Sequence, residues 1–393
     1  MAPSRPKSTP LNHHRRPHPA QRPRGRRLPR LAAGLAVCTL ALTCACGAPP
    51  GQSGPANSAE QADSPQPWDK LTGSAREKAL LKAAKKEGGR LSVYSSYNDE
   101  PKMAQAFTAK YGIKVDVYQA NSESVLQRVQ QETTAGKPRN DVLVSPGTDM
   151  ETISDRGILG PYASKYRDAV PEVGRGKLWT GVRRLAFVAG WNTDLIKTAD
   201  VPKSFEDFAD PRWKGKISLE YSDSDWYATL RDYYLSKGMS KADVTTMFQR
   251  IAHNEKTVKG HTVQGDLMAA GQFQVALSAY TQTVERLKVK GAPVSYGAEE
   301  NHLVSPVVVR YDAIGLMSGT PRPATATLYL DFQLGKDGFA QDEKLQGLPP
   351  VPQPDDPLAK AQVIAQDVPT YVKEREEAAK DYDALIRSGG TAK

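Results

Sequence analysis

The sequence predicts an α/β protein built as two lobes behind an export segment, and three observations carry that prediction. Beyond Trp68 the hydrophobic pattern alternates between strand-like runs and helical faces, the pattern of strands joined by crossover helices. Roughly 325 residues follow that tryptophan, more than one hydrophobic core comfortably organises. Four of the strand-like runs end in polar loops, at 95–98, 145–149, 221–226 and 280–283, two in each half of the chain. In open α/β sheets ligands sit beyond the carboxyl ends of the strands, so these loops are the raw material of a cleft.

The chain begins differently. Its formal charge of +9 invites a nucleic-acid or membrane-surface reading, but nine of the 53 basic residues precede Cys46, with no acidic residue among them. The remaining 44 basic residues face 44 acidic ones, which leaves no global field to hold nucleic acid. The uncharged stretch from Leu31 to Ala45 is short for a membrane span and suits the apolar core of a secretory signal. It leads into Leu42-Thr43-Cys44-Ala45-Cys46-Gly47, which is similar to the lipobox of bacterial lipoproteins. Thr43 stands where an aliphatic is usual, and Cys44 is the alternative acceptor. An ordinary signal peptide cut nearby is the competing reading, and Pro29 and Arg30 make Arg26-Arg27 a poor twin-arginine signal. The expected plan is a signal peptide over 1–45, then lipidated Cys46 and a tether through 67. The tether is rich in Pro, Gly, Ser and Ala and cannot bury enough surface to offset its ordering entropy. More than one acyl chain on Cys46 would hold the protein at a membrane. All three cysteines (Cys38, Cys44 and Cys46) lie in this region, so the exported part has no disulfide, thiol nucleophile or thiolate metal site.

The folded part reads element by element. Ser74-x-x-Glu77 predicts a capping box opening a helix through Lys86, with Leu80, Leu81 and Ala84 on one face and Gly88-Gly89 after it. A strand over 91–94 follows, then a helix marked by Met103, Phe107 and Tyr111, and a strand with Ile113, Val115 and Val117 alternating. A helix from Ser122 carries Val125, Leu126 and Val129, and 141–144 is the next strand. The same pattern returns at 217–220 and 275–279, and helices are expected over 329–339 and 359–386.

The residues of 207–230, 259–288 and 315–338 resemble motifs of the ferric-type solute-binding proteins that serve bacterial ABC importers, and 90–100 and 140–147 fit the same order. The likeness spans about residues 87–347. It implies a type II periplasmic-binding-protein fold, two α/β lobes with an interlobe ligand cleft. Crossings are expected near 188–190 and 305–309, which makes 68–187 the first part of lobe 1, 188–304 lobe 2, 305–345 the return to lobe 1, and 346–393 C-terminal helices and tail. It also implies closure of the lobes on a small ligand, and delivery to a permease and its ATPase by a monomer held outside the cell membrane.

Ferric members hold iron with a histidine in the first loop, a carboxylate in the next and two adjacent tyrosines after the 276–278 strand. Here those positions fall at Asn98, near Pro146, and at Thr281 and Gln282, with Tyr280 one residue early. The usual ferric constellation is not reproduced. The ligand expectation is a ferric complex or another small polar or anionic solute, iron or its chelate being cargo and no resident cofactor being implied.

The candidate ligand residues are Ser95, Ser96, Tyr97, Asn98, Ser145, Tyr221, Asp223, Asp225, Trp226, His261, Tyr280 and Gln282, with Tyr280, Asp223 and Asp225 as metal donors. Each has a plainer reading. Ser95 to Asn98 and Ser145 serve equally as a solvated turn. Asp223 and Asp225 precede a helix and would cap it. Trp226 stacks on a ligand or a cation, or is buried. His261 is a cleft or a structural histidine, and Thr262 is the expected N-cap of its helix. Arg310 and Asp312 lie near the second crossing, as ligand contact or ion pair. No nucleophile-elbow, zincin or P-loop motif is present. The alternatives to import are a sensing or scaffold lipoprotein and a carboxylate-based secreted hydrolase.

Overall fold

A computed structural model describes residues 65–390. The expected signal peptide, the expected lipidation site Cys46 and the expected tether up to residue 64 lie outside the described residues.

The first half alternates as α1 (Gly73–Lys86), β1 (Arg90–Ser95), α2 (Glu100–Tyr111), β2 (Lys114–Gln119), α3 (Ser122–Thr134), β3 (Val142–Pro146) and α4 (Gly147–Asp155). A two-residue β4 (Leu159–Gly160) and a short α5 (Lys165–Ala169) lead into the long strand β5 (Thr180–Asn192). The second half runs β6 (Ile217–Glu220), α6 (Ser224–Ser236), α7 (Lys241–Asn254), β7 (Glu255–Val258), α8 (His261–Ala269), β8 (Val275–Tyr280), α9 (Thr281–Val289) and β9 (Val294–Ser295). The chain returns through β10 (Val307–Met317), α10 (Pro323–Gln333), α11 (Lys336–Lys344), β11 (Val363–Ala365) and α12 (Val368–Gly390).

One mixed sheet carries both halves in the order β2-β1-β3-β10-β5-β8-β6-β7. β1 is parallel to β2 and β3, and β6 is parallel to β7 and β8. Between these two parallel sets stand β10 and β5, antiparallel to each other and to their outer neighbours β3 and β8. The expected crossings at 188–190 and 305–309 fall inside β5 and at the start of β10. β5 is buried along its whole length, as a strand covered on both faces must be.

Helices cover both faces. In the first half Phe107 meets Tyr329 and Phe332 edge to face, with centroids 4.9 and 5.5 Å apart, a favoured arrangement for aromatic rings. Phe205, Trp226, Phe248 and Tyr382 fill the second. α12 bridges the two: Val368 and Val372 join the cluster around Met150 and Ile153, and Tyr382, Leu385 and Ile386 join the core of the second half.

Three local expectations are corrected. The N-cap of α1 is Thr72, and Glu77 accepts from Tyr111 at 2.7 Å and pairs with Lys110 at 2.6 Å instead of closing a capping box with Ser74. The helix expected over 329–339 is two helices, because the chain turns at Gly335, where a Cβ would lie 2.8 Å from the Asp331 carbonyl. The helix expected from 359 begins at Val368, since residues 363–365 pair as a strand with the start of β10; β-branched Val363 and Ile364 suit that pleated position.

Candidate functional site

The carboxyl ends of β2, β3, β6, β7 and β8 meet across β10, with α12 alongside, and enclose a cleft of about 560 Å³. Asn121 to Glu123, Thr148 and Asp149 line it from the first half. Glu220 to Asp225, Lys259 to His261 and Tyr280 line it from the second, and Arg310, Tyr371 and Arg375 from β10 and α12. Period-two alternation puts Arg310 and Asp312 on one face of β10, beside Arg183 and Leu185 of β5.

Arg310 organises the floor. Its Nη1 donates to Asp225 Oδ2 at 2.6 Å and its Nη2 to the Tyr280 hydroxyl at 2.8 Å. The guanidinium also lies 5.2 Å from the Phe187 ring centroid, within cation–π range. Burial holds the Tyr280 phenol well above its usual pKa, opposed by the charge of Arg310. Asp225 also accepts from the backbone N–H of Trp226 at 2.9 Å.

Beside this pair stands a second group. His261 stacks on Tyr280 with centroids 3.6 Å apart and planes at 28°, and its Nε2 lies 3.0 Å from Asp223 Oδ1. Asp223 is buried and its carboxyl is pushed up to about 6 by desolvation, against the pull of His261. It occupies the N-cap position of α6 but makes no cap hydrogen bond, so the capping expectation fails for its side chain; the carboxylate turns to His261 instead. Glu220 accepts from Gly260 N at 2.7 Å, and from the backbone N and the hydroxyl of Ser222 at 2.6 Å each. One ligand atom from each of Glu220, Asp223 and His261 lies within 4.8 Å of the others. The N-cap of α8 is Gly260, at φ +94°, and not Thr262; that left-handed backbone tolerates glycine and few other residues.

The structure divides the sequence-predicted residues. Tyr221, Asp223, Asp225, His261 and Tyr280 line the cleft. Trp226 does not: it is wholly buried against Phe205 and Phe248, with centroids at 5.5 and 6.2 Å. Ser145 is buried and donates to Asp149 Oδ2 at 3.0 Å, while Asp149 Oδ1 pairs with Arg375 at 3.1 Å. Ser95 is buried, donating to Glu100 at 3.2 Å, and Ser96 is half-buried, its backbone N–H donating to the Val144 carbonyl. Asn98 is exposed and accepts from Gln119. Tyr97 and Gln282 meet away from the cleft. The Gln282 amide donates to the Tyr97 hydroxyl at 3.1 Å and to the Leu345 carbonyl at 2.9 Å, and Tyr97 donates to Asp342 at 3.1 Å. Arg183 lies 3.5 Å over the Tyr97 ring, and Arg286 joins Asp99 to the Leu345 carbonyl. Glu220, Thr148, Tyr371 and Arg375 escaped sequence reasoning. Glu220 ends a strand and was open to notice; Tyr371 and Arg375 sit on a helix whose docking no local pattern announces.

A sheet shared by two halves, crossed by two long strands and open at the strand ends, is the architecture of the periplasmic binding proteins. The profile of the bacterial extracellular solute-binding proteins matches residues 102–365, and the chain belongs to that family. Its function is solute binding. It is 23% identical over 263 residues to Iron uptake protein A1 of Synechocystis, covering 64% of this chain and 72% of that one. The fold is also that of a Trichodesmium protein (IdiA, FutA) in complex with iron and citrate, at TM-score 0.57 and 22% identity, over 75% of this chain and 99% of the other. AfuA of Actinobacillus pleuropneumoniae with fructose-6-phosphate bound aligns at TM-score 0.63 and 19% identity, over 76% and 98%. Among the described residues no helix is long and apolar enough to cross a membrane.

Proposed function

We propose that the protein captures a small anionic solute, ferric chelates included, between its halves and hands it to an ABC permease powered by its ATPase. In this reading residues 68–187 and 305–345 act as one lobe and 188–304 as the other. The protein is a monomer held at the outer face of the cell membrane through lipid on Cys46, and it turns nothing over.

The observation that carries this is Arg310, a guanidinium at the floor of a cleft lined from both halves, whose Nε is buried without a partner among the described residues. Arg375 and Lys259 add positive charge at the rim. Helix α4 starts at the cleft without a side-chain cap, and such an end presents free N–H groups to oxyanions. Citrate and fructose-6-phosphate, named with two proteins of this fold, share oxyanion groups. Bare ferric iron on tyrosinate is disfavoured, because Tyr280 already accepts from Arg310 and holds its proton tightly. A ligand touching both halves stabilises the closed arrangement and shifts the population toward it.

The test is native mass spectrometry of protein purified from its own host, followed by calorimetric titration with ferric citrate, citrate and a hexose phosphate. One of these is expected to bind, and Arg310→Met to weaken it at least about thirtyfold, since truncating a buried charged contact costs about 2–5 kcal/mol. Binding unchanged in Arg310→Met rejects the reading. Release of Cys46→Ser protein from the membrane fraction tests the anchor.

A further inference from the structure

We propose that Glu220, Asp223 and His261 form a site for a divalent transition-metal ion in the second-half wall of the cleft. The inference rests on the capture reading only in that the cleft admits solutes. None of the three groups is spent on Arg310, whose hydrogen bonds go to Asp225 and Tyr280.

The donors are prebuilt. Ser222 and Gly260 fix both oxygens of Glu220, yet Gly260 takes only one acceptor direction of Oε1, and a carboxylate oxygen offers two. The same contact places the negative charge of Glu220 against the N-terminus of α8, which would otherwise repel a cation. His261 is held in orientation by its stack on Tyr280. The 3.0 Å between its Nε2 and Asp223 Oδ1 equals the cis edge, about 3.0 Å, of an octahedral shell with bonds of about 2.1 Å.

A second observation points to a ligand. Asp223 is 2 % exposed, and its Oδ2 is buried without a hydrogen-bond partner among the described residues, as is His261 Nδ1. Buried polar atoms are paired in the great majority of cases, and the orphaned Oδ2 of this donor carboxylate is the mark of a missing partner; His261 Nδ1, on another side of the ring from the Nε2 that faces Asp223, stays outside the proposed shell. The three contributors come from the end of β6, the β6–α6 loop and the start of α8, all in the second half, so the site needs no closure of the halves to assemble.

Charge and donor type select the ion. Two carboxylates balance a divalent ion, whereas a trivalent one would leave excess charge in a buried place unless Tyr280 lost its proton. That proton is held hard by burial. One imidazole with two carboxylates suits manganese, ferrous iron, cobalt or zinc, and lacks the soft sulfur donors that favour cuprous copper.

Metal-depleted full-length protein titrated separately with MnCl₂, CoCl₂ and ZnCl₂, gel-filtered and analysed for bound metal, tests the site. At least one of the ions is expected to remain at one equivalent, with Glu220→Gln and His261→Gln each at least tenfold weaker. Where a variant does not fold, a ZnCl₂ titration of ¹⁵N-histidine-labelled wild-type protein reads the same site. The His261 signals are expected to shift while those of His253 and His302 stay. Retention of none of the ions, unmoved His261 signals, or unchanged binding in folded variants overturns the proposal. An anionic solute bound by metal-free protein that takes up no ion removes this inference and leaves the capture reading standing. Metal bound with no anionic solute does the reverse.

Discussion

Replacing Arg310 by methionine tests how the cleft floor is held together. The guanidinium donates to Asp225 at 2.6 Å and to Tyr280 at 2.8 Å, with side-chain exposures of 18% for Arg310 and 9% for Asp225. Methionine keeps much of the aliphatic stem, so the main loss is charge and not packing volume. Deleting one member of a buried pair strands the other, at about 3–5 kcal/mol. The partial exposure of Arg310 puts the expected cost near the lower end, about 3 kcal/mol. Adding Asp225→Asn removes the stranded charge and is expected to recover about 2 kcal/mol, leaving roughly the worth of one ordinary hydrogen bond. Urea unfolding followed by far-ultraviolet circular dichroism at neutral pH, without ligand, reads both values at unchanged slope. The reasoning is refuted if the single variant lies within about 0.5 kcal/mol of wild type, or if the double variant is no more stable than the single. Solute binding is expected to stay weakened in the double variant, which separates the structural role of Arg310 from its recognition role.

Three further expectations follow from other parts of the fold. Burial raises the Glu255 carboxyl from 4.5 to about 7, so the folded state keeps a proton that the unfolded chain releases. The stability it contributes is complete below pH 4.5 and is lost as pH rises through 7. Glu255→Gln is therefore expected to stabilise by up to about 3 kcal/mol above neutrality, and melting curves parallel to wild type across this range would reject that. Arg286→Ala with Gln282→Ala cuts the contacts joining Asp99 and Tyr97 to the second half. Small-angle scattering is expected to show a larger radius of gyration without ligand, and an unchanged radius shows that these contacts do not hold the halves together. A Cβ at Gly181 would sit 2.5 Å from the Tyr311 ring and 3.0 Å from the Gly174 carbonyl. Gly181→Ala is expected to cost about 1–3 kcal/mol through overpacking, and a wild-type melting temperature would contradict it.

Much of the fold was legible because its signals are local. Period two at Ile113, Val115 and Val117, and steps of four at Met103, Phe107 and Tyr111, mark β2 and α2 without reference to the rest of the chain. Boundaries were less legible where tertiary pairing decided them. Residues 363–365 carry no alternation long enough to declare a strand, and only the start of β10, ahead of its pairing with β3, makes them one. The site was legible in part. Asp223, Asp225 and His261 follow strand ends and Tyr280 ends β8, and strand ends are where such sheets place ligand-site side chains. Trp226 follows β6 as well, but α6, which begins at Ser224, turns its indole into the core.

By itself the sequence determined the alternation of elements, the concentration of basic charge before Cys46 with a neutral remainder, and the loops from which the cleft is built. These follow from side-chain periodicity and composition, which each segment carries alone. Only the tertiary structure decided which polar residues share a space. Arg310 meets Asp225 and Tyr280 across 85 and 30 residues of chain, and Arg375 reaches Asp149 from a helix 226 residues away. Tyr97 and Gln282, expected at the ligand, are instead joined with Asp342 outside the cleft. Ion pairs and hydrogen bonds are chosen by distance and by the need to satisfy buried charge, and neither is written in a local pattern.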